Sequence, residues 1–237
     1  MAAPRTARTA RERVREEMTA EILAVARAHV AEEGAAALSL RSVARDLELA
    51  PSALYRYFDG RDALLSALIM AAYEALAVEA ERAAEDAPRR EESDAERWLE
   101  VPRAMRRWAL AHPHEWGLIF GTPVPGYEAP EDTVESYARV AMAMVRPVVE
   151  AKEAGRLRMK GSPVVVSDAL REAVAPVTEA LFPDMPVAKV VLAVQAWSTV
   201  VGVISLEVFG HWRRTILDPE AFFEATIRNV ASQIGLV

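Results

Sequence analysis

Residues 38–58 read LSLRSVARDLELAPSALYRYF, two short apolar-periodic segments on either side of a three-residue break, Glu48-Leu49-Ala50. Ser39 ahead of the first segment is a helix-capping residue type, and its hydroxyl is expected to accept a bond from a first-turn amide of a helix over about Leu40 to Leu47. Pro51 suits the first turn of a second helix, where its missing N–H costs nothing, and this helix is predicted to run to Phe58. Val43, Ala44 and Leu47 then face inward from the first helix, and Leu54 and Phe58 from the second. The outer face of the second keeps Ser52, Ala53, Tyr55, Arg56 and Tyr57. Small residues let a backbone approach closely, hydroxyls bond phosphate or base edges, and Arg donates twice to guanine, so this composition suits a DNA major groove. Periodicity alone fits an ordinary helical hairpin as well.

Upstream, a helix is predicted from about Val14 to Glu33, with Ile22, Val25, Ala26, His29 and Val30 on one face and Gly34 as its C-terminal signal. Residues 1–13 read as a flexible basic arm: in the first fifteen residues Arg5, Arg8, Arg11, Arg13 and Arg15 face only Glu12. Such an arm tracks phosphate or enters a minor groove, although a solvated tail carries the same charge. Downstream, Asp59-Gly60 marks a turn. A helix from about Arg61 to Glu85 follows, with Leu64, Leu65, Leu68, Ile69, Ala72, Tyr73 and Leu76 along one stripe. It would be on the order of 35 Å long at about 1.5 Å per residue.

The chain has 237 residues, 52% of them hydrophobic, enough for a substantial core and against disorder over most of its length. Cysteine is absent, which excludes disulfides and thiolate zinc sites. The first twenty residues lack the apolar run of a signal peptide, so a cytoplasmic location is expected. Val190 to Leu206 carries no charge over seventeen residues but includes Gln195, Ser198, Thr199 and Ser205. That is short of the roughly 20 residues a membrane span needs, and it reads as a helix buried on several sides in a core or subunit interface. The net charge of −7 divides unevenly: residues 1–61 hold ten Arg against nine acidic residues, and residues 62–237 hold eighteen basic against twenty-six acidic. The acidic balance therefore belongs to the second part, and the first is free to approach a polyanion.

The whole chain reads as all-α, because apolar residues recur at three- and four-residue spacing and Val164-Val165-Val166 is too short to build a sheet. Residues 86–94 are a polar linker, and helices are predicted over about Ala95 to Ala111 and His114 to Phe120. Gly121 to Pro130 is a loop dense in Gly and Pro. Further helices are predicted over about Glu131 to Glu153 with a kink near Pro147, Ser167 to Leu181, Val187 to Trp212 and Pro219 to Ile234.

Residues 18–70 resemble the helix-turn-helix of TetR-type regulators, in which Thr or Ser opens the second helix, a Val-Ala pair follows, and the third ends in Tyr-x-His-Phe before a turn and a Lys. The matching residues are Ser39, Val43-Ala44, Tyr55-Arg56-Tyr57-Phe58 and Arg61. Three departures stand out: Glu48 occupies the Gly position of the turn, Tyr57 replaces His, and Arg61 replaces Lys. At Glu48 the backbone is accordingly expected either to differ slightly from the family's turn or to accept a left-handed conformation at some cost. The resemblance implies a DNA-binding domain over 14–60 and a helical regulatory domain over 61–237. It also implies backbone contacts from Ser39, Arg41, Tyr55, Tyr57 and Arg61. Pro51 belongs to the same surface, Ser52, Ala53 and Arg56 are the candidates for base edges, and Arg45 reads equally as a surface charge paired to Glu48 or Asp46.

For the second half the resemblance implies a ligand-responsive regulator, a repressor in the usual case, that binds a palindromic operator as a homodimer through the last two helices. A small apolar or amphipathic effector would enter a cavity among the helices after the fourth. Trp108, Trp116, Phe120 and Tyr137 are the expected lining, drawn from a second half rich in bulky groups. The stretch 196–212 also looks like a C-terminal subgroup marked by Trp, His and Gly, with Val201 where the His would stand. No cofactor is called for. His112, His114 and Glu115 invite a metal or an enzymatic reading, but i, i+2 spacing across Pro113 does not place two imidazoles on one helix face, and no nucleophile with a base accompanies them. A helix break with a capping role fits that stretch better. A helix-turn-helix that binds protein is the remaining alternative, distinguishable by binding that ignores salt and DNA sequence.

Overall fold

A computed structural model of the chain describes residues 9–86, 93–128, 130, 132–158, 164–182 and 184–236. Arg5 and Arg8 of the basic arm and most of the 86–94 linker lie outside the described residues. Among the described residues the fold is all-helical, with no strand, and it divides into two compact units.

The first unit joins the chain up to Ala72 with the segment Thr122–Thr133. Helix α1, Ala10–Glu33, starts earlier than the expected Val14 because Thr9 and Glu12 form a reciprocal capping box. Thr9 N–H donates to the Glu12 carboxylate at 2.8 Å, and Glu12 N–H donates to the Thr9 hydroxyl at 3.3 Å. Ile22, Ala26 and Val30 are its buried stripe. After Gly34, at φ 83°, a 3₁₀ turn, Ala35–Ala37, leads into α2, Leu40–Asp46. Ser39 is the N-cap residue of α2, but its side chain makes no capping bond, contrary to expectation. The hydroxyl of Ser42 instead donates to the Ser39 carbonyl at 2.8 Å.

The α2–α3 turn satisfies the last carbonyls of α2. Glu48 N–H donates to Arg45 O at 3.0 Å and Leu49 N–H to Ala44 O at 2.8 Å, the paired bonds of a Schellman motif. That geometry needs a left-handed residue after the cap, and Glu48 supplies it at φ 57°, the one non-glycine with positive φ among the described residues. Helix α3 is only Pro51–Leu54, shorter than expected. Its end tightens into turns in which Tyr57 N–H donates to Leu54 O at 2.8 Å and Phe58 N–H to the same oxygen at 3.0 Å. Leu54 and Phe58 stay four residues apart and both are buried.

Helix α4, Arg61–Asp86, is continuous across the boundary at Ala72. Leu64, Leu65, Leu68, Ile69 and Ala72 are buried on its first part and Leu76, Ala77, Ala80 and Ala84 on its second, as its 3.6-residue stripe predicts.

The second unit takes Tyr73–Gly121 and Val134–Val237. It contains α5, Asp94–Ala111; α6, Pro113–Phe120; most of α7, Asp132–Glu153; α8, Asp168–Ala173; α9, Ala175–Leu181; α10, Val187–Val208; and α11, Pro219–Gln233. The expected single helix over 167–181 is broken at Val174, two residues before Pro176, as a proline that cannot donate in mid-helix dictates. Helix α10 stops four residues short of Trp212, and the chain turns at Gly210 with φ 76°.

Arginines fasten these helices. Arg103 of α5 makes two 2.7 Å bonds to the Glu224 carboxylate of α11, and Arg106 makes two of 2.7 Å to Glu207 of α10. Two parallel bonds fix direction as well as distance. Trp98 N–H of α5 donates to Met144 O of α7 at 3.1 Å, and Trp116 N–H of α6 to the Ser205 hydroxyl of α10 at 3.1 Å. These two fully buried indoles thus keep their one donor satisfied.

Glu48→Gly relieves the left-handed strain and gives back part of that gain as chain entropy, so it is expected to stabilise the protein by roughly 0.5–1 kcal/mol. Denaturant unfolding of the two forms measures this; an unchanged or lowered midpoint would contradict it.

Candidate nucleic-acid interface and regulatory cavity

Burial of Leu54 and Phe58 determines what α3 presents. Pro51, Ser52, Tyr55 and Arg56 are exposed, with Tyr55 at 50%, and Ala53 and Tyr57 are half-buried beside them. Arg41 on α2 is exposed and Ser39 half-buried. The guanidinium of Arg15 lies 5.6 Å from the centre of the Tyr57 ring, a cation–π contact that periodicity does not disclose. Arg45 pairs with Asp46 at 3.2 Å, one of the two partners expected for it.

Arg61 is engaged within the protein. Its guanidinium donates to the carbonyls of Ala35 and Ala36 at 3.1 and 3.3 Å and to Asp62 at 3.2 Å, bracing the first turn of α4 against the α1–α2 connection. A similar brace joins α1 to α2: the His29 ring meets Asp46 at 2.7 Å through Nε2 and Ser42 at 3.2 Å through Nδ1. The hydrogen bond from His29, then that from Arg45, holds the Asp46 carboxyl below its usual pKa. In the same unit the Tyr127 and Ser66 hydroxyls bond at 2.9 Å, so the 121–130 loop has a hydrogen-bonded foothold on α4.

The second unit contains a cavity of about 390 Å³, within the range of small-molecule sites. Its wall comes from α5 (Trp98), α7 (Tyr137, Met144, Val148), α9 (Val177, Leu181) and α10 (Leu192, Trp197) with their neighbours. Of the four aromatics expected there, only Tyr137 lines it. Trp116 is fully buried and stacks on Phe120 at 4.4 Å, and Phe120 in turn meets Trp197 at 6.1 Å, so these two form packing behind the wall. Trp108 is buried elsewhere, stacked at 5.0 Å on His112. Tyr137 meets Trp197 edge-on at 5.4 Å and Tyr73 at 6.0 Å. Burial pushes the Tyr73 hydroxyl up to about 12, with a smaller push from Tyr137, and burial raises that of Tyr137 as well.

The His112–Glu115 stretch behaves as a helix break. His112 ends α5 and precedes α6, its ring nitrogen lies 3.0 Å from Trp108 O, and His114 is exposed. Among the described residues no group of three metal-ligating side chains converges.

A buried scaffold presenting Ser from a four-residue helix and Tyr and Arg from the turns that follow it, joined to a helical unit with an apolar cavity, is the arrangement of a helix-turn-helix regulator, and comparison with known proteins agrees. Residues 22–68 match the family described as bacterial regulatory proteins, tetR family, and residues 98–230 match the tetracyclin repressor-like C-terminal domain. The chain is 37% identical over 227 residues to the HTH-type transcriptional regulator Rv1816 of Mycobacterium tuberculosis, covering 90% of this chain and 91% of that protein. It matches the solved structure of regulatory protein SCO4313 at 32% identity and TM-score 0.76, over 94% of this chain and 100% of the other. The TetR-family regulator PfmR of Thermus thermophilus, at 18% identity and TM-score 0.53 over 90% of this chain and 96% of the other, shares the fold. The chain belongs to the TetR family of DNA-binding transcriptional regulators.

The Asp46 pKa carries a pH signature. A carboxyl whose folded value is depressed stabilises the fold above its ordinary 3.8, and the contribution is lost as pH falls through the lower folded value. Wild type should therefore melt higher than Asp46→Asn at neutral pH, and the gap should shrink as the pH falls below 3.8 and close once it is below the depressed folded value. A gap that persists there would exclude the His29–Asp46 brace as its source.

Proposed function

We propose that the protein is a ligand-responsive repressor that binds a palindromic operator in cytoplasmic DNA as a homodimer and releases it when a small apolar or amphipathic effector fills the cavity. The observation that carries the DNA reading is the anchored recognition segment, with Leu54 and Phe58 buried and Pro51, Ser52, Tyr55 and Arg56 exposed. In this reading Ser52, Ala53 and Arg56 reach base edges, and Ser39, Arg41, Tyr55 and Tyr57 contact phosphate. Arg61 orders the start of α4 and faces phosphate with the part of its side chain left open. Phosphate contacts set register and base contacts set sequence.

Uncovered apolar surface on the last helices supports the dimer. Val194, Leu206 and Phe209 of α10 and its cap are exposed, with the small residues Ser198 and Gly202 along the same helix, and Phe222 of α11 is exposed as well. Such a surface on an apolar helix asks for a partner. Helix α10 is long and apolar enough to cross a membrane by composition, and a subunit interface accounts for its open face without one. Two copies would present their α3 segments to half-sites about one helical turn apart, roughly 34–36 Å. The effector acts through unequal affinity for DNA-competent and incompetent arrangements. The cavity belongs to the second unit, while the segment from Thr122 to Thr133 belongs to the first and continues directly into α7 and Tyr137, which gives the response a covalent route.

Replacing Arg56 and Tyr57 together by Ala is expected to abolish tight, salt-sensitive operator binding in a mobility-shift assay, with about 1–3 kcal/mol from the Arg alone. Unaltered binding would remove these residues from the interface. For the dimer, light scattering should give twice the chain mass for wild type and the monomer mass for Leu206→Arg combined with Phe222→Arg. A variant that remains dimeric would move the interface elsewhere.

A further inference from the structure

The cavity wall is unusual in its charge. The stretch 62–237 holds twenty-six acidic against eighteen basic residues, yet none of the residues lining the cavity is Asp or Glu. Lys189, in the first turn of α10, is the single charged residue of the wall. It is half-buried, and it makes no ion pair with any described residue. Four arginines of this unit are by contrast matched with carboxylates, Arg97 with Glu150, Arg103 with Glu224, Arg106 with Glu207 and Arg139 with Glu81. A cationic effector would lose water on entering and find no counter-charge, which is costly in an apolar site. An anion meets the single charged residue of the wall, which pairs with no carboxylate among the described residues, and its chain meets Trp98, Val148, Leu181 and Leu192.

We infer that the effector is a single-chain amphiphile with one anionic headgroup, a carboxylate in the simplest case, whose head pairs with Lys189 while its chain fills the apolar cavity. This rests on the proposed role of the cavity as the effector site. Lys189 here sets specificity: the chain supplies most of the affinity through buried methylenes, and the ammonium selects the head and fixes which end of the chain enters first.

Three probes of equal chain length, used below their micelle-forming concentrations, test this: dodecanoate, dodecanol and dodecyltrimethylammonium. Calorimetry with the full-length protein is expected to rank dodecanoate at least about tenfold tighter than dodecanol, a difference of roughly 1.4 kcal/mol, with the cation weakest. Lys189→Met keeps the apolar stem and removes the charge, so it should bring dodecanoate down to the affinity of dodecanol and leave dodecanol unchanged. ω-Bromododecanoate should quench tryptophan fluorescence in wild type, and much less once Trp98 and Trp197 are both replaced by Phe, because these are the tryptophans on the wall. If dodecanol binds as tightly as dodecanoate, or if Lys189→Met changes nothing, the ammonium points to water and the anionic class is wrong while the cavity reading stands. If no probe binds, or if quenching survives the loss of both tryptophans, the cavity itself is the wrong site. If dodecanoate binds as described and operator DNA is retained, the chemical class holds and the effector role of the cavity fails.

Discussion

The DNA-binding half depends on a turn that costs energy to make. Helix α3 has four residues, far too few to be stable alone, so its orientation is borrowed from its surroundings. Two backbone bonds through Glu48 and Leu49 close α2 at the angle α3 needs, and Leu54 and Phe58 then lock the segment onto the core. Glycine would reach φ 57° without a Cβ penalty; Glu48 reaches it because both amides after the cap have carbonyls to meet. The cost at one residue is offset by the bonds and by the apolar contacts that the turn makes possible. Everything exposed on α3 inherits its position from that exchange.

Two polar braces flank this turn. His29 and Ser42 hold Asp46, and Arg61 holds the carbonyls of Ala35 and Ala36. Each satisfies groups at a helix end that would otherwise need water. The Asp46 carboxylate is thus engaged by His29 and Arg45, although it stays exposed. In the second unit long-range arginine pairs do comparable work between helices, and the buried indoles of Trp98 and Trp116 bond across helix pairs. An apolar cavity remains open only where the helices around it are fixed by something other than mutual collapse, and these directional bonds provide that.

Much of this was legible in the amino-acid sequence, and the exceptions have physical causes. The helix order and the α2–α3 break follow from local patterns, apolar spacing and Pro51, and of the two outcomes expected at Glu48 the structure takes the left-handed one. The early start of α1 was equally local, since Thr9 and Glu12 have capping-box spacing, and so was the break before Pro176; both signals stand in the sequence. Ser39 holds the N-cap position the sequence suggests, but its hydroxyl makes no capping bond, and nothing local in the sequence signals that. The cavity wall was the least legible feature. Bulky aromatics suggest a pocket, yet large rings also fill space best, and Trp108 and Trp116 are consumed as packing. The wall consists mainly of Val, Leu, Ala and Met from α7, α9 and α10, whose convergence depends on helix crossing and on ion pairs between residues more than a hundred positions apart.

Magnitudes constrain how such a cavity works as a switch under the proposed reading. Moving a two-state protein from almost wholly DNA-competent to almost wholly released takes about 5.5 kcal/mol of differential affinity. At about 0.8 kcal/mol per buried methylene, roughly seven methylenes that are buried in one state and exposed in the other suffice. A wall as apolar as this one therefore contains enough driving force in the chain of its ligand alone. It contributes to switching, however, only if the competing arrangement of α7 and α10 closes the space; a cavity equally open in both would bind tightly and regulate nothing. The charge on Lys189 contributes little to that difference unless its exposure also changes. Under the same reading its value lies in discrimination: an apolar wall accepts any chain that fits, and the single charged residue on it would give a criterion for the head.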